Sequence, residues 1–90
     1  MTARYVRHPE IRITALEGEG MVLHLGERRY FSVNETGLVL LEALQRPCTM
    51  GELAAAIRDE YDVSEAEATA TTTAFLEQCL DARVVSRTEA

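Results

Sequence analysis

The stretch that decides the fold is GERRYFSVNETG, residues 26–37. The basic and aromatic residues from Arg28 to Val33 are typical of a β-strand, and a glycine-containing turn precedes them. Asn34 is a preferred residue at a helix N-cap, and Glu35 carries the charge that stabilises a first helical turn. The stretch therefore predicts a strand that ends where a helix begins, and it divides the chain into a β-half and an α-half.

Two further strands are predicted before this one. IRITAL, residues 11–16, has the period-two alternation of a strand, and MVLHL, residues 21–25, forms the next candidate. The segments EGEG, residues 17–20, and GE, residues 26–27, are typical of tight turns. Together they predict a three-stranded antiparallel meander whose third strand, residues 28–33, lies at an edge.

The α-half is predicted to contain three helices, at about 35–45, 49–61 and 64–82. The first ends before Pro47, because proline disfavours a helical conformation at the preceding residue. T-x-x-E at 49–52 and S-x-x-E at 64–67 match the capping box that opens many helices. The third helix is expected to bury a stripe made of Ala68, Thr72, Phe75, Leu76, Cys79 and Leu80. The order β-β-β-α-α-α predicts an α+β fold with the parts of a winged helix-turn-helix domain.

Ninety residues, 47% of them hydrophobic, are enough for a single domain spanning 1–90. We expect a core over about 10–85 and a flexible tail at 86–90. No apolar run is long enough to cross a membrane, and the first residues lack the apolar segment of a secretory signal. Cys48 and Cys79 are expected to be reduced thiols, with a disulfide between them as the alternative. These features favour a cytoplasmic protein with no membrane partner.

The net charge of the chain is -6, from 15 acidic and 9 basic residues. Because nucleic-acid affinity rests mainly on neutralising phosphates, this balance disfavours a nucleic-acid partner. Only four of the acids precede residue 35, so the predicted helices carry an acidic surface. That surface either keeps the protein soluble or steers a basic partner towards it.

The usual signs of catalysis or metal binding are missing from the sequence. His8 and His24 are the only histidines, and a zinc site needs about four closely arranged nitrogen or sulfur ligands. No glycine-rich phosphate loop and no G-x-S-x-G motif occurs. Carboxylates such as Glu65 and Glu67 lie at a predicted helix start, where nothing indicates the burial that acid–base catalysis requires. We therefore predict a protein that is not an enzyme and has no cofactor and no metal.

The edge strand 28–33 is the best candidate for a binding site. Arg28 and Arg29 protect only its start, and the following YFSV segment is prone to pair with another strand. A partner peptide could add to it as a fourth strand, held by main-chain hydrogen bonds. The small side chains of ATATTTA, residues 68–74, either leave room for a groove or simply allow close packing against the sheet.

Two long segments of the sequence resemble a known family. The segments that carry the resemblance are GMVLHLGERRYFSVNETGLVLLEAL, residues 20–44, and TMGELAAAIRDEYDVSEAEATATTTAFLEQCLDARVV, residues 49–85. They are similar to the pyrroloquinoline-quinone biosynthesis protein D (PqqD) family, within the wider group of RiPP precursor-peptide recognition elements. The resemblance covers roughly residues 10–85. The chain departs from many members at Gly26, where they have an acid after the second strand.

The resemblance implies a leader-peptide-binding adaptor. In such domains the leader of a ribosomally made precursor docks as a strand against the third strand, in a groove closed by the third helix. The domain then presents the precursor to a maturation enzyme, a protease or cyclase of the lasso-peptide type or a radical-SAM enzyme. The peptide-binding residues that we expect are Arg28, Arg29, Tyr30, Phe31, Ser32 and Val33 on the strand, and Ala70, Thr71, Ala74, Glu77 and Gln78 on the helix.

Two alternatives stay open. The order of the helices permits a winged-helix DNA-binding regulator, but the third helix carries Glu65, Glu67, Glu77 and Asp81, where a recognition helix needs groups that read base edges. The chain is alternatively a structural dimerisation module, in which the exposed edge pairs with a second copy to form a homodimer.

Overall fold

All three predicted strands and all three predicted helices are present, and two further strands lie near the ends of the chain. The computed structural model describes residues 3–89, and the side chain of residue 89 lies outside that description. The elements in chain order are β1 (Ala3–Arg7), β2 (Ile11–Leu16), β3 (Glu19–His24), β4 (Arg29–Asn34), α1 (Glu35–Ala43), α2 (Met50–Glu60), α3 (Glu65–Asp81) and β5 (Val85–Glu89). The protein is therefore an α+β fold, as predicted.

The strand pair β1–β5 is the part of the fold that the sequence did not predict. The two strands are antiparallel, with Ala3 opposite Glu89 and Arg7 opposite Val85. The expected flexible tail is thus a strand over residues 86–89, and Ala90 lies outside the described residues. The reason is non-local, because each strand finds its partner at the other end of the chain. The predicted order β-β-β-α-α-α becomes β-β-β-β-α-α-α-β.

Backbone contacts attach this pair to the rest of the protein. Tyr5 N donates to Cys48 O at 2.7 Å, and Cys48 N donates back to Tyr5 O at 2.8 Å. Arg7 N donates to Leu44 O at 2.9 Å. Val85, at the start of β5, is buried. The ends of the chain are therefore held against the connection between α1 and α2.

The larger sheet is the predicted antiparallel meander, in the order β2-β3-β4. A two-residue turn joins β2 to β3, and Gly18 within it has a φ of 73°, in the left-handed region that glycine tolerates best. The inner face of the sheet packs against the helices through Ile11, Ile13, Gly20, Val22, His24, Phe31 and Val33, while Ala15 and Arg29 on the same face are exposed. Leu16, Leu23 and Tyr30 lie on the outer face and are exposed.

The helix caps follow from the motifs in the sequence. Asn34 Oδ1 accepts a hydrogen bond from Gly37 N at 2.9 Å, which begins α1. At α2 the capping box is complete: Thr49 Oγ1 accepts from Glu52 N at 3.1 Å, and Glu52 Oε1 accepts from Thr49 N at 2.8 Å. This backbone bond lowers the pKa of Glu52. At α3, Ser64 Oγ accepts a hydrogen bond from Glu67 N. The Glu67 carboxylate accepts from the Ser64 hydroxyl and not from the Ser64 backbone N–H, so the predicted capping box is incomplete.

The core lies between the helices and the inner face of the sheet. Its fully buried apolar side chains are Leu40, Leu41 and Leu44 of α1, Leu53 of α2 and Val22 of β3. Ala68 and Thr72 of α3 have no exposed surface, so small side chains let α3 approach its neighbours closely. The predicted inward stripe of α3 is confirmed for its buried members, while Phe75 and Leu80 are only half-buried.

Candidate functional site

A small cavity lies between β4 and the C-terminal half of α3. Its volume is about 120 Å³. The residues that line it are Val22, Phe31, Ser32, Val33, Leu41, Phe75, Gln78, Cys79, Ala82 and Val84. Ser32 and Gln78 are the only polar residues in this lining, and the side chain of Ser32 lies on the outer face of β4, as that of Tyr30 does. The cavity is therefore an apolar recess that opens beside a strand, and we call it the β4–α3 groove.

One wall of the groove is an edge strand. β4 pairs with β3 on one side, and within residues 3–89 no strand pairs with its other side. The outward N–H and C=O groups of β4 are therefore available to another chain. Phe31 and Val33 are half-buried on the groove side, whereas Tyr30 on the outer face is 74% exposed.

The other wall is one face of α3. Phe75, Gln78, Cys79 and Ala82 are spaced i, i+3, i+4 and i+7, so they share a single helical face. Phe75 is half-buried, and Gln78 is exposed at the rim. Four side chains of one helix thus face the edge strand, and the wall is continuous over two helical turns.

The segment Asn34–Gly37 positions β4 relative to this helix. Asn34 ends the strand and caps α1, which places Gly37 beside both walls of the groove. A Cβ atom on Gly37 would lie 3.0 Å from Phe75 Cε1 and 3.0 Å from Val33 Cβ. Glycine at this position therefore lets Phe75 pack against the end of β4.

Of the eleven predicted binding residues, the groove lining includes four: Phe31, Ser32, Val33 and Gln78. The remaining predicted helix residues, Ala70, Thr71, Ala74 and Glu77, are exposed and do not line the cavity. Helical periodicity places Thr71 on the lining face one turn earlier and Ala74 at its margin. Ala70 and Glu77 lie well away from that face. Contact of these four helix residues with a peptide stays a prediction.

The sequence prediction missed Phe75, Cys79 and Ala82 as lining residues. It assigned Phe75 and Cys79 to the buried core, which holds for Cys79 at 7% exposure but only partly for Phe75. The signal that would have found them is the same i, i+3, i+4, i+7 stripe, continued towards the C-terminus of the helix. In a sequence, apolar residues at helical spacing look the same whether that helical face packs against the edge of a sheet or against its interior.

The start of β4 is basic. The Arg29 guanidinium lies 5.1 Å from the centre of the Phe31 ring, in a cation–π contact. Arg28 has a φ of 54°, a left-handed conformation that is unfavourable for a residue with a Cβ atom. Both arginine side chains are exposed. Arg29 therefore lies beside the Phe31 ring at one end of the groove, Arg28 precedes β4, and neither residue lines the cavity.

Neither cysteine has the properties of a nucleophile. Both thiols are free and buried, so the alternative of a Cys48–Cys79 disulfide is not found. Burial raises the pKa of Cys79 to about 12 and also raises that of Cys48. Reactivity belongs to the thiolate, so both groups are inert thiols at neutral pH.

His24 has a structural role in the turn that precedes β4. It is 2% exposed. Its Nδ1 accepts from Glu27 N at 3.2 Å, so its Nε2 donates to Arg83 O at 3.1 Å. Both ring nitrogens are therefore occupied. Within the described part of the chain, no three His, Cys, Asp or Glu side chains form a group that could hold a metal ion.

A larger, open depression at the end of α2 is a weaker candidate. Its volume is about 610 Å³, and its lining includes Arg58, Asp59, Glu60 and Asp62. All four of these side chains are exposed. The depression lacks the enclosed apolar surface that usually binds ligands.

No helix in residues 3–89 has the length and apolar character needed to cross a membrane.

The fold is similar to that of two proteins whose structures contain a leader peptide. TbiB1 in complex with the TbiA(beta) leader peptide aligns with a TM-score of 0.77 at 20% identity, over 90% of this chain and 94% of that one. Lasso peptide synthetase B1 complexed with the leader peptide aligns with a TM-score of 0.74 at 17% identity, over 91% and 96%. At such low identities these likenesses establish the fold.

The family itself is established by sequence. The profile of coenzyme PQQ synthesis protein D (PqqD) matches residues 19–85, well over half of the chain. The chain belongs to the PqqD family. No curated protein matches it.

Proposed function

We propose that this protein is a non-catalytic adaptor that binds the leader segment of a ribosomally made precursor peptide and presents the precursor to a maturation enzyme. The observation that carries the proposal is the pairing of an unoccupied strand edge with an apolar cavity beside it. Membership of the PqqD family and the likeness to two leader-bound proteins support it. A lasso-peptide protease or cyclase is the favoured kind of enzyme partner, because one of the two structural neighbours is lasso peptide synthetase B1.

The geometry suggests how binding would work. A leader strand adds to the outer edge of β4, and main-chain hydrogen bonds supply affinity without regard to sequence. Alternate side chains of that strand face α3, and one apolar side chain enters the cavity. A cavity of roughly 150 Å³ can hold a benzene molecule, so the 120 Å³ found here suits one medium-sized apolar side chain. Phe31, Val33 and Phe75 would surround it.

Several finer points belong to the same proposal. The small sheet β2-β3-β4 together with α1 and α2 supports a winged helix-turn-helix classification within this proposal, in which residues 1–90 act as one domain. The site of action is the cytoplasm, where free cysteines such as Cys48 and Cys79 stay reduced. Duplex DNA binding has no support, since the exposed surface of α3 carries four acids, Glu65, Glu67, Glu77 and Asp81.

A matched pair of helix variants tests the proposal. The probe is a fluorescein-labelled leader of the precursor peptide encoded beside this chain's gene, and binding is followed by fluorescence anisotropy. Gln78→Trp places a large ring in the groove and is expected to reduce affinity at least about tenfold. Thr69→Trp introduces the same ring at an uncharged, exposed position of α3 that does not line the cavity, and is expected to bind normally. Both positions are exposed, so neither change disturbs the core.

Equal effects of the two variants would contradict a site in the β4–α3 groove. Size-exclusion chromatography with and without the leader separates this proposal from the dimerisation module, which uses the same edge. A dimer that the leader does not dissociate, together with no leader binding, would favour a structural role for β4.

A further inference from the structure

Arg28 and Arg29, at the start of β4, form no ion pair with any acidic side chain that the structure describes. Three other arginines form ion pairs: Arg4 with Glu52 at 3.7 Å, Arg58 with Glu65 at 3.7 Å, and Arg83 with Glu27 at 3.9 Å. Among the residues that the structure describes, neither Arg28 nor Arg29 lies within 4.0 Å of a carboxylate. The two neighbouring arginines therefore carry two adjacent positive charges in a chain of net charge -6.

The structure holds Arg29 in a defined place beside the cavity. Arg29 and Phe31 are two residues apart on β4, so their side chains lie on the same face of the strand. The guanidinium lies over the Phe31 ring, and that ring lines the cavity. A cation–π contact leaves the N–H groups at the edge of the guanidinium free to donate to a carboxylate. The guanidinium is therefore preorganised at the end of the groove.

Arg28, the preceding residue, has an unfavourable backbone conformation. Its φ of 54° costs roughly 1–2 kcal/mol for a residue with a Cβ atom, and glycine or asparagine would adopt it more easily. A residue with a Cβ atom that keeps a left-handed backbone conformation suggests that its side chain has a function. The nearest acid in sequence, Glu27, is already paired with Arg83.

We propose that the leader peptide carries an acidic side chain that pairs with Arg29, two residues away from the apolar side chain that fills the cavity. The inference rests on the proposed function and adds the charge and the spacing that the groove selects. Side chains on one face of an added strand recur every second residue, as Arg29 and Phe31 do on β4. The groove thus recognises the pattern acidic–x–apolar or apolar–x–acidic.

The order of the two leader residues reports the direction of the added strand. In an antiparallel strand the acid follows the apolar residue by two positions, because the leader runs from Val33 towards Arg29. In a parallel strand the acid precedes the apolar residue by two positions. The competing explanation is that Arg28 and Arg29 only keep the edge from pairing with other chains.

Charge exchange between the two partners distinguishes these explanations. The probe is the same labelled leader, together with versions in which each Asp or Glu in turn is replaced by Asn or Gln or by Arg. Arg29→Glu is expected to weaken binding about fivefold to tenfold, and the leader with Arg at one acidic position is expected to restore it. Arg46→Glu changes the net charge equally at an exposed position in the connection between α1 and α2, and is expected to have little effect.

Four other outcomes of this experiment would contradict the inference, and each would identify which part of it is wrong. Equal losses for Arg29→Glu and Arg46→Glu would show a general charge effect and overturn the pairing. No loss for Arg29→Glu, with Gln78→Trp still blocking the leader, would overturn the acidic partner and leave the proposed function standing. Failure of the unaltered protein to bind any of the leaders would overturn the proposed function itself. Rescue by an arginine that replaces a leader acid at a spacing other than two from the apolar residue would overturn the proposed spacing.

Discussion

The ring of Phe75 occupies the space that a side chain on Gly37 would need. A Cβ atom on Gly37 would lie 3.0 Å from Phe75 Cε1, closer than such atoms ordinarily pack. Phe75 lines the groove from α3, and Gly37 belongs to the first turn of α1. The glycine of the NETG segment therefore sets how closely α3 approaches the edge strand.

Gly37→Ala is expected to reduce leader affinity several-fold while changing the free energy of unfolding by less than about 1 kcal/mol. The new methyl group displaces Phe75 or Val33 by a few tenths of an ångström, and alanine offsets part of that cost because it is a better helix former than glycine by roughly 1 kcal/mol. Anisotropy and urea denaturation measure the two effects.

Gly51→Ala is the matched control for that variant. Gly51 is exposed in the first turn of α2, and its nearest neighbour to an added Cβ is Thr49 Oγ1 at 3.9 Å. The change is expected to stabilise the protein by about 0.5–1 kcal/mol without altering leader affinity. If Gly37→Ala behaves in the same way, the contact with Phe75 does not set the width of the groove.

Thr72→Val is expected to be neutral or to stabilise the protein by about 1 kcal/mol. Thr72 has no exposed surface, and its Oγ1 is buried without a hydrogen-bond partner. A buried polar atom without a partner costs roughly 1–3 kcal/mol, and valine has nearly the same shape. The midpoint and slope of urea denaturation give the change in free energy.

Thr73→Val provides the comparison one residue further along α3. The Thr73 hydroxyl donates to Thr69 O at 2.8 Å, so its loss is expected to be neutral or slightly destabilising. A clear destabilisation by Thr72→Val would mean that its hydroxyl has a partner in solution, such as a bound water molecule.

The buried thiol of Cys79 predicts a loss of stability at alkaline pH. Its pKa is raised by burial from about 9 to about 12, so the folded protein keeps the proton that the unfolded chain releases. The contribution is fully present below pH 9 and is lost as the pH rises towards 12. We expect the free energy of unfolding to fall more steeply between pH 8.5 and about 10.5 in the unaltered protein than in Cys79→Ala.

The comparison with Cys79→Ala isolates this group, because Cys48 and Tyr61, whose pKa values are also raised, are present in both proteins. Parallel stability curves for the two proteins would mean that the Cys79 thiol is accessible to water. Such access would also contradict its place in an apolar lining.

The local features of the fold could be predicted from the sequence, and the long-range ones could not. Asn34 and Thr49 cap their helices as expected, because a cap depends on residues three positions away. The strand pair β1–β5 was missed, since its two partners are separated by almost the whole chain. On the strand, Phe31 and Val33 line the cavity as expected, whereas Tyr30 lies on the opposite face, because side chains alternate along a strand.

The helix wall was predicted less well for a related reason. A strand has two faces, but a helix presents a continuous surface, and a small rotation changes which residues face the groove. The small side chains of residues 68–74 suggested the N-terminal half of α3, whereas the cavity lies against Phe75, Gln78 and Ala82. Tertiary packing fixes this rotation, because α3 buries Ala68, Thr72, Leu76 and Cys79 and places Phe75 beside Gly37.

The central claim is that a leader peptide adds as a strand to the edge of β4, and amide hydrogen exchange resolved by residue tests it most directly. The sheet has two edges, β2 and β4, so β2 serves as an internal control. With saturating leader, we expect outward amides within Arg29–Asn34 to become protected, shifts along the lining face of α3, and no change in Ile11–Leu16. Protection of β2 instead, or unchanged exchange throughout β4 while the leader is bound, would contradict the account.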